Sequence, residues 1–245
     1  MRGMPSPSPA TELPLAALRR TLLAGLLAGL IAGGFATALQ AVRVAPLILA
    51  AEVYESAAPA AHEHEAGEAA WEPAEGLEST GFTLLANMVV GCGFGLLLAG
   101  AFAWRESVSG EGVGARAGLL WGLAGFATFS LAPSLGLPPA PPGSAEADLA
   151  ARQTWWLLTV IATGGGLWLA AHARSWALRA VSIPIVALPH IWGAPMPVGA
   201  ESSVPAELAT QFAIASIVTA GAFWALLGTV DGWLYHRFGA ARLDA

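Results

Sequence analysis

Apolar residues fill six long runs in this chain, at 21–42, 82–104, 113–132, 154–171, 177–193 and 207–232. A helix rises ~1.5 Å per residue, so about 20 apolar residues cross the ~30 Å hydrocarbon layer of a bilayer. Lipid offers no partners to open backbone, which makes helices the default spanning element. The pattern predicts an all-α, polytopic membrane helix bundle with six transmembrane helices. The fifth run holds Pro184 and Pro189, each of which removes a helical N–H and crowds the turn before it. It is expected to be kinked or broken, as helices beside transporter substrate sites often are. If that run does not cross, the bundle has five spans.

The polar segments between the runs set the organisation. Residues 1–18, with Pro5, Pro7, Pro9 and Pro14, read as a disordered cytoplasmic tail. A transmembrane domain follows at 19–238, then a short cytoplasmic tail at 239–245. Residues 44–81 form the longest connection, an acidic outer loop with eight glutamates and His62 and His64. The outer loop 133–153 is Pro-rich and expected to be extended and poorly ordered. Glycines recur every four residues in the first run (Gly25, Gly29, Gly33) and cluster in the second and fourth. Small residues on one stripe let helices approach closely in lipid.

Charge gives the orientation. The chain has 11 arginines and no lysine. Arg2, Arg19, Arg20, Arg105, Arg116, Arg174, Arg179, Arg237 and Arg242 fall in alternate segments, and only Arg43 and Arg152 fall in the others. The positive-inside rule makes the first set cytoplasmic, with both termini inside and an even number of spans. Trp104, Trp155, Trp156, Trp192 and Trp233 lie near span ends, at headgroup level. The net charge of −6 comes largely from one loop, and no basic patch or RNA-binding motif is present, which excludes nucleic acid as a partner. A Walker A loop requires a lysine, so the chain has no ATP-binding site of its own. Neither a G-x-S-x-G elbow nor an H-E-x-x-H motif occurs, and no enzyme activity or tightly bound cofactor is expected. The single Cys92 excludes an intramolecular disulfide.

Polar groups at membrane depth are costly, so their positions are informative. Gln40, Asn87, His190 and Gln211 all fall near the outer ends of their spans, with Arg43, Glu52 and Glu55 just beyond the first. The inner halves of the spans read as nearly bare of such groups. This asymmetry suggests an outward-facing vestibule. Imidazole and carboxylate together suit first-row divalent cations such as cobalt, nickel and zinc. In His62-Glu63-His64-Glu65 the two imidazoles are two residues apart and would point the same way in an extended segment. A solvated acidic loop and a hydrogen-bonded buried histidine are the plainer readings of these same residues.

Four segments resemble the CbtA family, a predicted bacterial cobalt-transporter subunit: "QAVRVAPLILAAEVYE" at 40–55, "RQTWWLLTVIATGGGLWLA" at 152–170, "LPHIWGAPMP" at 188–197 and "VPAELATQFAIAS" at 204–216. The resemblance runs from about residue 19 to 238. It implies a multi-pass subunit for Co²⁺ uptake in the bacterial cytoplasmic (inner) membrane, partnered by CbtB, a small single-span protein with a histidine-rich tail. A homo-oligomer is compatible with it. The family is usually described with five spans, where the arginine pattern here argues for six. On this reading Glu52, Glu55, His62 and His64 capture the metal, and His190 passes it inward with Gln40, Asn87 and Gln211 lining the way. Arg43 and Arg152 repel cations and are expected to pair with Glu52 or Glu55 instead. A divalent ion crossing at 100 mV gains about 4.6 kcal/mol, enough to drive uptake without ATP. The alternative is a non-transporting membrane scaffold or assembly subunit of a metal- or cobalamin-related complex, its Gly-rich faces holding partner helices.

Overall fold

All six apolar runs are helical in the computed structural model, which describes residues 9–57, 76–197 and 202–240. In chain order the elements are α1 (Pro9–Arg43), α2 (Ala45–Ala57), α3 (Leu77–Ser109) and α4 (Ala115–Phe126). α4 continues through a π-helical turn at Ala127–Leu131 into the short α5 (Ala132–Ser134). Then come α6 (Leu149–His172), α7 (Trp176–Trp192) and α8 (Ala206–Ala240). No strand occurs among the described residues, and the fold is the all-α membrane bundle that the apolar runs predict.

Five helices are long and apolar enough to cross a bilayer: Leu15–Arg43, Glu78–Ser109, Ala115–Ser134, Leu149–His172 and Ala206–Gly239. The fifth apolar run becomes α7, with 17 residues at the lower limit of a span. The break expected there is absent, because α7 is continuous through Pro184 and Pro189. Ser175 caps its start, accepting from the Leu178 N–H at 3.3 Å, and Gly193 ends it with φ of 94°, where a side chain would be strained.

Two segments read as loops carry more structure than expected. Ala45–Ala57 of the acidic connection is the helix α2, with Glu52 and Glu55 one turn apart on its exposed side. In the Pro-rich link, the Gly143 carbonyl accepts from both the Ser203 N–H at 3.2 Å and the Ser203 hydroxyl at 3.0 Å. That link ends where Asp148 caps α6, accepting from the Ala151 N–H at 2.9 Å. At the other end of the chain, α1 already begins at Pro9, inside the segment read as a tail.

The chain divides into two compact units. Unit 1 comprises Met1–Phe35, Thr83–Gly122 and Phe223–Ala245; unit 2 comprises Ala36–Phe82 and Leu123–Ala222. In unit 1, α1 and α3 meet along glycines. A Cβ at Gly25 would lie 2.8 Å from Gly95 backbone, one at Gly29 2.4 Å from the Cys92 nitrogen, and one at Gly33 2.5 Å from the Asn87 carbonyl oxygen. α4 and α8 repeat the device with Gly118 and Gly122 against Gly228. Lipid supplies no hydrophobic drive for helix association, so close backbone approach and its dispersion contacts take over that role.

Polar and glycine contacts gather several helix ends of unit 1. Arg20 near the start of α1 pairs with Glu106 near the end of α3, the Tyr235 hydroxyl near the end of α8 donates to Glu106, and Gly232 packs on Gly114 at the start of α4. The chain therefore enters α1 and leaves α8 at the same end.

Unit 2 is centred on the α6–α7 hairpin. Residues 173–175 join the two helices, and the Arg179 Nε donates to the Ala173 carbonyl at 3.0 Å, closing the end of α6. Gly166 of α6 receives Val186 of α7 in the space where its Cβ would stand.

Candidate functional site

His190 sits one residue past the second proline of α7, and its ring is held on three sides. Nδ1 is 3.2 Å from the Val186 carbonyl and Nε2 is 3.0 Å from the Ala132 carbonyl. Trp155 of α6 meets the ring edge-on at 5.7 Å between centroids. The Trp155 indole N–H itself donates to the Pro189 carbonyl at 3.1 Å. A neutral imidazole has one N–H and donates to only one of two carbonyls. The lone pair of the other nitrogen then faces a carbonyl oxygen, and only a turn of the ring would free it.

Unit 2 also has an open cavity of about 860 Å³ between the π-helical turn, the Pro-rich link, the start of α6 and the segment after α7. Its wall is largely apolar, with oxygen groups from Ser130, Ser134, Glu146, Gln153 and Ser216 and the Met196 thioether. Arg152 also lines it and is ion-paired to Glu146. The π-helical turn bonds the Ala132 N–H to the Ala127 carbonyl, one residue wider than an α-turn, and such turns are frequent at functional sites.

Unit 1 holds a second group of polar residues. Arg20 pairs with Glu106 and stacks over the Tyr235 ring, 3.8 Å from its centroid, while the Tyr235 hydroxyl donates to Glu106 at 2.7 Å. One turn earlier on α8, Asp231 is fully buried, and neither of its carboxylate oxygens has a hydrogen-bond partner.

A scan against family models matches residues 18–236 to the family described as "Probable cobalt transporter subunit (CbtA)". That is nearly the whole chain. It belongs to the CbtA family. Searches of curated proteins and of solved structures give no match.

On this CbtA member the residues singled out in the sequence fall as follows. Gln40, Arg43, Glu52, Glu55, Arg152, His190 and Gln211 lie in unit 2, and Asn87 lies in unit 1. His62 and His64 lie outside the described residues. Glu52 and Glu55 are exposed, and the Glu55 side chain lies against Gly143, 3.1 Å from where a Cβ there would stand. Arg152 is ion-paired as expected of it, but to Glu146, six residues before it, and not to Glu52 or Glu55. No carboxylate among the described residues pairs with Arg43. Among the described residues no three His, Cys, Asp or Glu side chains gather as metal ligands. Cys92 is part of the glycine seam, its sulfur 3.6 Å from the Leu26 carbonyl oxygen.

Sequence reasoning missed the CbtA chain's unit 1 polar group. The spans are not bare on that side, because Asp231 closes the last apolar run. The signal was present: an intramembrane carboxylate is a functional candidate by default, and Asp231 stands four residues before Tyr235 on the same helix face.

Proposed function

We propose that this chain is the permease subunit of a cobalt uptake system in the bacterial cytoplasmic membrane. The unit 2 cavity carries the reading. It offers a divalent ion a sequence of oxygen donors on an otherwise apolar wall, so waters of hydration are exchanged singly rather than lost together. Glu52 and Glu55 on exposed α2, with His62 and His64 beyond it, draw the cation to the outer face by charge. Glu146 offsets the charge of Arg152, which would otherwise repel the ion at the cavity wall. His190 ligates once its ring turns from the Ala132 carbonyl, and Gln40 and Gln211 supply amide oxygens. Both termini are cytoplasmic, and a CbtB-like single-span subunit with a histidine-rich tail delivers or gates the ion.

The test is radioactive cobalt uptake in transporter-deficient cells, with the chain alone and with the small partner, and with nickel and zinc as competitors. Uptake should favour cobalt and fall more than tenfold in His190→Ala at equal membrane insertion. Full uptake by that variant removes His190 from the path. If neither combination transports cobalt, the chain is a scaffold rather than a permease.

A further inference from the structure

Asp231 lies on the buried stripe of α8, where Trp224, Leu227, Asp231, Leu234 and Tyr235 recur at helical spacing. Its exposure is 0% and both carboxylate oxygens are without partners. The helix cannot easily move aside, because Gly228 and Gly232 press it against Gly114 and Gly118 of α4, backbone to backbone.

Among the described residues, the ionisable groups on the elements packed here are engaged elsewhere or exposed. Arg20 of α1, Glu106 of α3 and Tyr235 of α8 bind one another. Arg105 of α3 pairs with Glu111 at 3.0 Å. Arg19 of α1, Arg116 of α4, and His236 and Arg237 of α8 are exposed. An ionised Asp231 would be dry and uncompensated, an arrangement that costs several kcal/mol. A divalent ion does not relieve it. Such an ion takes about six ligands, and no three metal-binding side chains converge among the described residues. A proton needs only one oxygen.

We propose that Asp231 is a proton-binding site that gates unit 1. Its carboxyl holds a proton while α1, α3, α4 and α8 are packed, and it ionises only when the end where Tyr235 and Glu106 lie opens to water. The exit is one turn away: the Tyr235 hydroxyl donates to Glu106 at 2.7 Å, and the Glu106 side chain is 35% exposed. On opening, the Asp231 O–H bond breaks and its proton passes to entering water. It leaves along the Tyr235–Glu106 line, and the carboxylate remains hydrated. Reprotonation reverses the step. That this gate controls cobalt flux rests on the permease reading; the protonation of Asp231 does not.

The full chain in lipid nanodiscs, with ¹³C-labelled aspartate carboxyls, tests the site by infrared spectroscopy. Only Asp148, Asp231 and Asp244 carry the label. A label-sensitive C=O stretch of a protonated carboxyl is expected at pH 7, absent in Asp231→Asn and retained when exposed Asp148 is changed to Asn. No such band, or one that survives Asp231→Asn, overturns the proposal. In proteoliposomes, raising the pH on the Tyr235–Glu106 side should raise wild-type cobalt flux by up to about tenfold per pH unit, as the deprotonated fraction of a single group grows. Asp231→Asn should show a flat profile. A wild-type flux indifferent to that pH overturns the gate. If no cobalt moves at all, the permease reading fails, and the infrared band decides the proton site alone.

Discussion

Leucine in place of Gly29 should abolish recovery of the folded chain, while leucine in place of Gly34 should leave it intact. At Gly29 the first added carbon would stand 2.4 Å from the Cys92 nitrogen and 2.5 Å from the Cys92 Cα. Both are backbone atoms, so no side chain can swing away to make room. The only relief is separation of α1 from α3, which also dismantles the contacts at Gly25 and Gly33. Ordinary overpacking costs about 1–3 kcal/mol. Losing a whole helix seam exceeds that and approaches the ~5–15 kcal/mol that holds a typical fold together. Gly34 has nothing within 4 Å of its would-be Cβ, so the same leucine there meets open space. Fluorescence-monitored size exclusion of detergent extracts reads the difference directly. Equal monodisperse peaks and equal melting temperatures for the two variants would remove the seam from the argument.

Glu106→Ala should lower the melting temperature by about 4–8 °C. The substitution leaves Arg20, whose side chain is only 15% exposed, without its carboxylate, and the Tyr235 hydroxyl without its acceptor. Breaking a fully buried pair costs about 3–5 kcal/mol. Glu106 is about a third open to solvent, which screens the pair, and a loss of about 2 kcal/mol is the reasonable expectation. For a chain of this size each kcal/mol moves the midpoint by about 2–4 °C. Tyr235→Phe removes one hydrogen bond and should cost about 1 kcal/mol. A thermal melt of Glu106→Ala within one degree of wild type would make the cluster a surface contact of no consequence.

The bundle was legible because apolar length is a one-dimensional property. Six runs became six helices, five of them long and apolar enough to cross a bilayer. The glycines at four-residue spacing correctly marked a seam, though not which helix closes it. What was lost depends on cross-chain pairing. Arg152 had two glutamates suggested for it by proximity to the first span, yet it takes Glu146 from the link just before its own helix. α7 was expected to be kinked or broken because each proline deletes a hydrogen bond. The helix instead runs on through both, and the Trp155 indole of α6 donates to the Pro189 carbonyl, which also accepts from the Gly193 N–H. His190 was legible as a hydrogen-bonded histidine, and it is half-buried, but its contact with Ala132, 58 residues away, was not. Asp231, near the end of an apolar run, was overlooked.

The wide turn at Ala127–Leu131 is equivalent to one surplus residue carried inside a helix. An α-helix rotates about 100° per residue, so everything beyond the turn is phased differently from what an uninterrupted helix would present. The Ala132 carbonyl that meets His190 owes its bearing to that phase. Shortening the segment by a single residue would let the helix revert to regular winding and swing that carbonyl about a quarter-turn around the axis. A one-residue length polymorphism here would thus act as a switch in side-chain bearing, uncoupling the histidine from its backbone anchor while leaving every named residue in the chain unchanged.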